Sequence, residues 1–194
     1  MKKSILFTGV GGQGVLTVAN ILAKAALEEG FHVLTSEVHG MAQRGGSVIC
    51  YVRIGNVHSP LIPDGGADAI ISMEPVEALR HIEKIKENGI ILTDITPVIP
   101  QTVSIGKAVY PPLEKVFEEI EKRCKLVKID ALQIAKKAGN AITRNIVMLG
   151  AFAGMDIFPI SKEKILQMVR KSVPEKYIEL NEKAFMMGSE AVRE

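Results

Sequence analysis

The sequence predicts an open, mostly parallel α/β sheet with helices on both faces and a helical C-terminus. Three observations carry this. Short apolar runs alternate with amphipathic stretches as far as residue 137, the signature of strands linked by crossover helices. A glycine-rich turn, Gly9-Val10-Gly11-Gly12-Gln13-Gly14, separates the first apolar run from the first amphipathic stretch. From Thr143 onward only helical periodicity remains.

Ser4 to Thr8 reads as a buried strand closed by glycines. Val15 to Glu29 is a helix with Leu16, Ala19, Leu22, Ala23 and Ala26 on one face, stopped by Gly30. Phe31 to Ser36 is a second strand and completes a β-α-β unit, expected to be parallel. Glu37 to Gly46 is polar and irregular. Ser47 to Ile54 alternates as a strand before a Gly55-Asn56 turn, and residues 62–66 are loop. Ala69 to Met73 is a further strand, and Pro75 opens a helix facing Val76, Leu79, Ile82 and Ile85 inward. Gly89 to Thr93 is a strand followed by Asp94 at its carboxyl edge. Thr102 to Tyr110 suggests one or two short strands around Gly106. Pro112 starts a helix with Leu113, Val116, Phe117 and Ile120 on one side. A strand at Leu126 to Ile129 precedes a helix at Asp130 to Lys137 that Gly139 ends. Thr143 is placed to cap an apolar helix running to Met155. Helices from Ser161 to Lys171 and from Pro174, with Tyr177, Leu180, Ala184, Met187 and Ala191 at helical spacing, finish the chain.

The length of 194 residues fits one domain, 1–194, whose C-terminal helices (about 161–194) pack on it or on a partner. Hydrophobic residues make up 47% and charged residues 24%, which excludes disorder. A net charge of +2 gives no footprint for nucleic acid or a membrane surface, and aromatics at 5% with no Trp leave no base-stacking platform. The two cysteines, Cys50 and Cys124, read as core thiols of a reducing compartment. They lack the spacing of a zinc or thioredoxin-type site. The start, Met1-Lys2-Lys3 followed by a brief apolar run, imitates a signal peptide until the glycines interrupt it. The apolar run Ile146 to Met155 is too short to span a bilayer. A cytoplasmic location is expected.

Gly9, Gly11 and Gly14 satisfy G-x-G-x-x-G in the strand–turn–helix context of a Rossmann-like fold. There a tight turn and free helix-terminal amides can hold an anion. Gly12 and Gln13 complete this candidate site. The other reading is a turn that only packs helix on sheet. Glu37, near the end of the second strand, is where a dinucleotide ribose would find its acid, or it is a solvated strand-end residue. A Walker A loop is excluded, because no Gly-Lys-Ser/Thr follows. The segment Glu37-Val38-His39-Gly40-Met41-Ala42-Gln43-Arg44-Gly45-Gly46 would lie beside the first glycine turn. Arg44 offers a cationic fork and Gly45-Gly46 accessible amides; His39 is a proton donor, an anion contact or a plain loop histidine. No nucleophile elbow, Ser-His-Asp set, H-E-x-x-H or Cys/His cluster is present, so no catalytic and no metal-ligating residue is assigned. Met186-Met187 reads as packing and Glu114 to Arg123 as a solvated face. Asp94, Asp130 and Asp156 read as residues that end strands or helices.

GVGGQGV followed by SEVHGMAQRGGSV resembles the gamma-type subunit of 2-oxoacid:ferredoxin oxidoreductases. The stretch from Asp130-Ala131 through Gly139 to Asn145-Ile146-Val147-Met148-Leu149-Gly150-Ala151 is similar to the same family, so the likeness runs from about residue 4 to 155 and continues toward the end. EVHGMAQRGG most resembles the small subunit of the indolepyruvate branch. The resemblance implies a complex that converts a 2-oxoacid, coenzyme A and oxidised ferredoxin into acyl-CoA, CO2 and reduced ferredoxin. It also implies that thiamine diphosphate and iron–sulfur clusters sit on a larger partner subunit and none on this chain. By analogy, Gly11 to Gly14 and Arg44 to Gly46 face the partner's cofactor or the coenzyme A path. Two other readings of the glycine turn stay open: a free-standing NAD- or flavin-dependent dehydrogenase, and a nucleotide-binding regulator.

Overall fold

The computed structural model describes residues 1–40 and 45–192. Its six-stranded sheet is ordered β2-β3-β1-β4-β5-β6, from β1 (Lys2–Val10), β2 (Val33–His39), β3 (Ser47–Gly55), β4 (Ala67–Ser72), β5 (Ile85–Asp94) and β6 (Lys125–Ile129). β1, β4, β5 and β6 pair parallel in that order, while β3 pairs antiparallel with both β1 and β2. Only β3 therefore runs against the rest. β1 is buried from Ser4 to Val10, as a strand covered on both faces must be, which is why its apolar run is continuous.

The expected β-α-β unit is corrected in one respect. β1 and β2 do share a direction, but β3 lies between them. β3 matches β1 along its whole length, from Lys2 opposite Gly55 to Val10 opposite Ser47, and buries Val48, Cys50, Val52 and Ile54 against the core. β2 exposes Thr35, Glu37 and His39 and suits the edge, where its outer backbone groups meet water.

Helices cover both faces. α1 (Val15–Glu28), α5 (Ala131–Ala138), α6 (Arg144–Gly154), α7 (Lys162–Ser172) and α8 (Ile178–Glu190) close over Ile5, Phe7, Ile71 and Leu92. α2 (Pro75–Arg80) and α4 (Leu113–Glu121) close over Leu6, Ile70 and Ile91 on the other face. α4 buries Val116 and Ile120 and leaves its charged run in water, as expected.

Four further expectations change. The helix from Pro75 stops at Arg80; a 3-10 turn, Ile82–Lys84, follows, and Ile85, buried with Ala78, Val116 and Ile120 as its inward reading required, belongs to the sheet opposite Ala67 and not to the helix. Thr102 to Tyr110 forms no strand, because β6 already occupies the free edge of β5. The segment instead holds the short helix α3 (Gln101–Ser104) and irregular chain. Thr143 does not cap α6 with its side chain; its hydroxyl donates to the Asn140 carbonyl at 2.9 Å, and Asn140 Oδ1 takes the Ile142 amide at 3.0 Å. The last helix begins at Ile178 after a 3-10 turn, so Tyr177 lies outside it and is exposed.

The C-terminal helices pack on this chain's own core. α6 and α8 approach so closely that glycine is required at the contact. A Cβ at Gly150 would lie 2.0 Å from the Phe185 carbonyl oxygen, and one at Gly188 would lie 2.1 Å from that of Val147. Among the described residues no helix is long and apolar enough to cross a membrane.

Gly188→Ala should separate α6 from α8 and cost about 2–3 kcal/mol, since a methyl forced into a packed contact shifts backbone. Gly40→Ala, where no atom of the described residues lies within 4 Å and φ is not positive, should change stability by less than about 0.5 kcal/mol. Chemical denaturation of both variants checks the pair.

Candidate functional site

β1 ends at the centre of the sheet's carboxyl edge, where the chain must turn sharply to enter α1. Gly14, at φ 74°, is the first flanking residue of α1, and Gly12 sits at φ 101°. Both lie in the left-handed region that glycine enters without strain. Gly9 is required for space: a Cβ there would lie 2.8 Å from Gln13 Oε1 and 2.9 Å from Val15. The turn is stapled by Gln13, whose Oε1 accepts the Val10 amide at 2.7 Å and whose Nε2 donates to the Met73 carbonyl at 2.8 Å. The Gln13 side chain thus spends its polar atoms joining the ends of β1 and β4.

The two glycine segments singled out from sequence do meet. Gly11 N donates to Gly46 O at 2.8 Å, and Gly45 N to Gly11 O at 3.4 Å. Beside them opens a hollow of about 460 Å³ whose walls include Val10, Gly12, Gly14, Leu16, His39 and Val48. Apolar walls, the backbone amides at the α1 N-terminus and one imidazole from the end of β2 suit an anionic group attached to an apolar one. His39 is exposed, and its Nδ1 lies 3.4 Å from the Gly40 carbonyl. Glu37 is not part of this hollow. With β3 interposed, its strand stands two strand spacings, about 10 Å, from β1. It lines a separate shallow groove with Asn20, Thr35 and Cys50. A dinucleotide fold needs that acid on the strand next to β1, so the geometry withholds it. Arg44 lies outside the described residues.

Sequence reading missed the groups that hold this edge together. Asp94 has no exposed surface, and Arg144 pairs with it through Nε. Arg144 Nη2 donates to the Thr96 carbonyl at 2.8 Å and the Met73 carbonyl at 3.3 Å; Asp94 Oδ1 takes the Thr96 amide at 3.0 Å. Burial pushes the Asp94 carboxyl above its ordinary range, and Arg144 and the Thr96 amide pull it back. Next along α6, Asn145 fills the space over Gly14, where a Cβ would come within 2.4 Å of Nδ2. The available signal was one arginine as the sole charge of a largely apolar helix. Asp130, by contrast, is a plain helix cap accepting the Gln133 amide at 3.0 Å.

On the other face, Glu74 is buried, and its Oε1 accepts the Tyr110 hydroxyl at 2.5 Å and the Val98 amide at 3.3 Å. One carboxylate oxygen so closes the loop from 98 to 110. Burial and that carboxylate hold the Tyr110 phenol well above its usual range. Both cysteines are free. Burial pushes the Cys50 thiol up to about 12, which leaves it inert. Among the described residues no three His, Cys, Asp or Glu side chains cluster as metal ligands.

A family model described as pyruvate ferredoxin/flavodoxin oxidoreductase matches residues 4–191. The chain is 47% identical over 194 residues to the indolepyruvate oxidoreductase subunit IorB of Pyrococcus horikoshii, covering 98% of this chain and 96% of that protein. It is 38% identical to the subunit of the same name from Methanothermobacter thermautotrophicus, covering 100% of both. The crystal structure of the keto/oxoacid ferredoxin oxidoreductase gamma subunit from Geobacter sulfurreducens matches with a TM-score of 0.72 at 28% identity over 98% of each chain.

Gln13→Ala should cost about 1–3 kcal/mol by stranding the Val10 amide and the Met73 carbonyl. Gln13→Glu sets a carboxylate against that carbonyl, which raises its folded pKa above the free value of about 4.3. Its penalty is then full near neutrality and shrinks as pH falls through the folded pKa, when an O–H replaces the lost donor. Denaturation at pH 7 and near pH 5 reads the difference.

Proposed function

Because this chain belongs to the pyruvate ferredoxin/flavodoxin oxidoreductase family, we propose that it is the small subunit of an indolepyruvate-type 2-oxoacid oxidoreductase complex. In this reading the complex takes a 2-oxoacid, coenzyme A and oxidised ferredoxin to acyl-CoA, CO2 and reduced ferredoxin, in the cytoplasm. The observation that carries it is identity held from end to end with the indolepyruvate subunits, at 38–47%.

The geometry supports a division of labour. An iron–sulfur cluster needs about four thiolates, whereas this chain has two cysteines on opposite faces of the sheet, Cys50 against α1 and Cys124 against α4. Thiamine diphosphate and the clusters would be supplied by a larger partner subunit. This chain contributes the joined glycine segments, with Gly11, Gly12, Gly14, His39, Gly45 and Gly46 toward the partner's cofactor or the coenzyme A path. The surface around them suits a protein partner. Val38, Ile99, Ile105, Val109, Ile142 and Tyr177 are large apolar residues exposed on or beyond the carboxyl edge. The connection from 95 to 112 carries a single formal charge, Lys107. Charge depletion with apolar anchors marks the centre of a protein interface, and a stable one covers more than about 1,000 Å².

The isolated chain should neither reduce ferredoxin nor bind NAD at micromolar concentration. Mixed with its larger subunit, it should restore coenzyme-A-dependent ferredoxin reduction. Val109→Asp should weaken that association about tenfold or more while leaving the melting temperature of the chain unchanged. Full turnover by the chain alone would contradict the reading.

A further inference from the structure

We propose that a second hollow, beneath the glycine turn and framed by Gly12, Gln13, Met73, Ala141, Ile142 and Arg144, is an anion site in which Arg144 receives a carboxylate or phosphate oxygen. The hollow measures about 200 Å³ and is distinct from the one lined by His39 and Val48.

A guanidinium carries five N–H donors in a rigid fork and no acceptor, so every nitrogen must find an oxygen. At Arg144, Nε is taken by Asp94, and Nη2 by the Thr96 and Met73 carbonyls. Among the described residues nothing accepts from Nη1. That nitrogen is not sealed away: the side chain keeps 17% of its surface and lines the hollow. Asp94, with no exposed surface, occupies the opposite side of the fork and fixes its plane. The result is a donor held in place before any ligand arrives, with little ordering left to lose on binding.

The rest of the hollow selects for an anion. Ala141 and Ile142 are apolar and exposed and offer no acceptor side chain to compete for Nη1. Among the described residues the space over Gly12 is open, with no atom within 4 Å of where its Cβ would be. Gln13 is already committed to Val10 and Met73, so its amide does not reach into the hollow as a competing ligand. Asp94 offsets part of the Arg144 charge, so a lone small anion binds weakly and a larger anionic molecule gains from the apolar rim.

The test is an amide and side-chain NMR titration of the full chain with inorganic phosphate and, separately, with acetate. Saturable shifts centred on Gly12, Ala141, Ile142 and the Arg144 side chain are expected with at least one of them. The tighter of the two names the ligand class. Ala141→Glu, on the exposed rim, brings a carboxylate to Arg144 and should weaken that binding about tenfold or more without lowering the melting temperature. Arg144→Lys, which keeps the charge but loses the fork, should abolish saturation. The proposal is overturned if neither anion saturates, if Ala141→Glu binds as the parent does, or if the shifts centre on the α1 N-terminus and spare Arg144.

Discussion

A carboxylate with no exposed surface at the end of a parallel strand has to be met by a cation that is itself well hydrogen-bonded, or it would not stay ionised there. At Asp94 that cation is Arg144, and the pairing decides where α6 begins. Arg144 cannot reach Asp94, Thr96 and the Met73 carbonyl unless the first turn of α6 is drawn over the carboxyl ends of β4 and β5. Asn145 is then laid against Gly14, and the helix continues almost wholly buried through Gly154. The pair does not make the fold stable by its own Coulomb energy, which burial largely offsets. Its effect is to set position. Met73 is the point where this constraint meets the glycine turn, because its carbonyl accepts from both Arg144 and Gln13.

The glycine turn is consequently held from both sides. α6 presses on Gly14 from one side, and Gly46 is bonded to Gly11 on the other. Of its glycines, Gly9 and Gly14 answer to close contact and Gly12 to a left-handed backbone over open space. A fingerprint that looks uniform in sequence therefore divides into residues that build the turn and one that leaves room beside it. Gln13 belongs with the builders. Its amide carries out the strand-joining that a nucleotide-binding loop would leave to backbone alone.

That division explains how much could be read in advance. Strand β1, helix α1 and the glycine turn between them follow local rules of burial, periodicity and φ, so their residues announce them. So does the adjacency of the two glycine segments, since both must lie beyond strand carboxyl ends. The position of β2 was not legible. Its strand pattern is the same whether it neighbours β1 or stands at the edge, and only the length of the β1–β3 match decides. Ile85 reads equally well as a helix face or a strand start, because a single β-branched residue satisfies both periods. Asp94 and Arg144 are 50 residues apart, and nothing local marks a pair formed at that distance. The loop from 98 to 110 is the same case, since its apolar residues mimic a strand while Glu74, on another element, closes it.

Two connections of the sheet differ in character. At the amino-end edge, the turn from Arg80 to Gly89 carries five formal charges in ten residues and reads as ordinary solvated surface. At the carboxyl edge, the 95–112 connection has one charge in 18 residues and shows Ile99, Ile105 and Val109 to solvent. A monomer gains nothing from that arrangement, because exposed apolar groups cost solubility and Asp or Lys would serve the loop as well. It becomes reasonable if the carboxyl edge is covered in the working assembly. The loops there then need a fixed shape before the partner arrives, and buried polar anchors supply it where a hydrophobic core cannot reach. Glu74 holds the 95–112 connection at Val98 and Tyr110, and Asp94 with Arg144 holds its start at Thr96, from opposite faces of the same edge. Between them lies the glycine turn, tied to the start of β3 by the bond from the Gly11 amide to the Gly46 carbonyl.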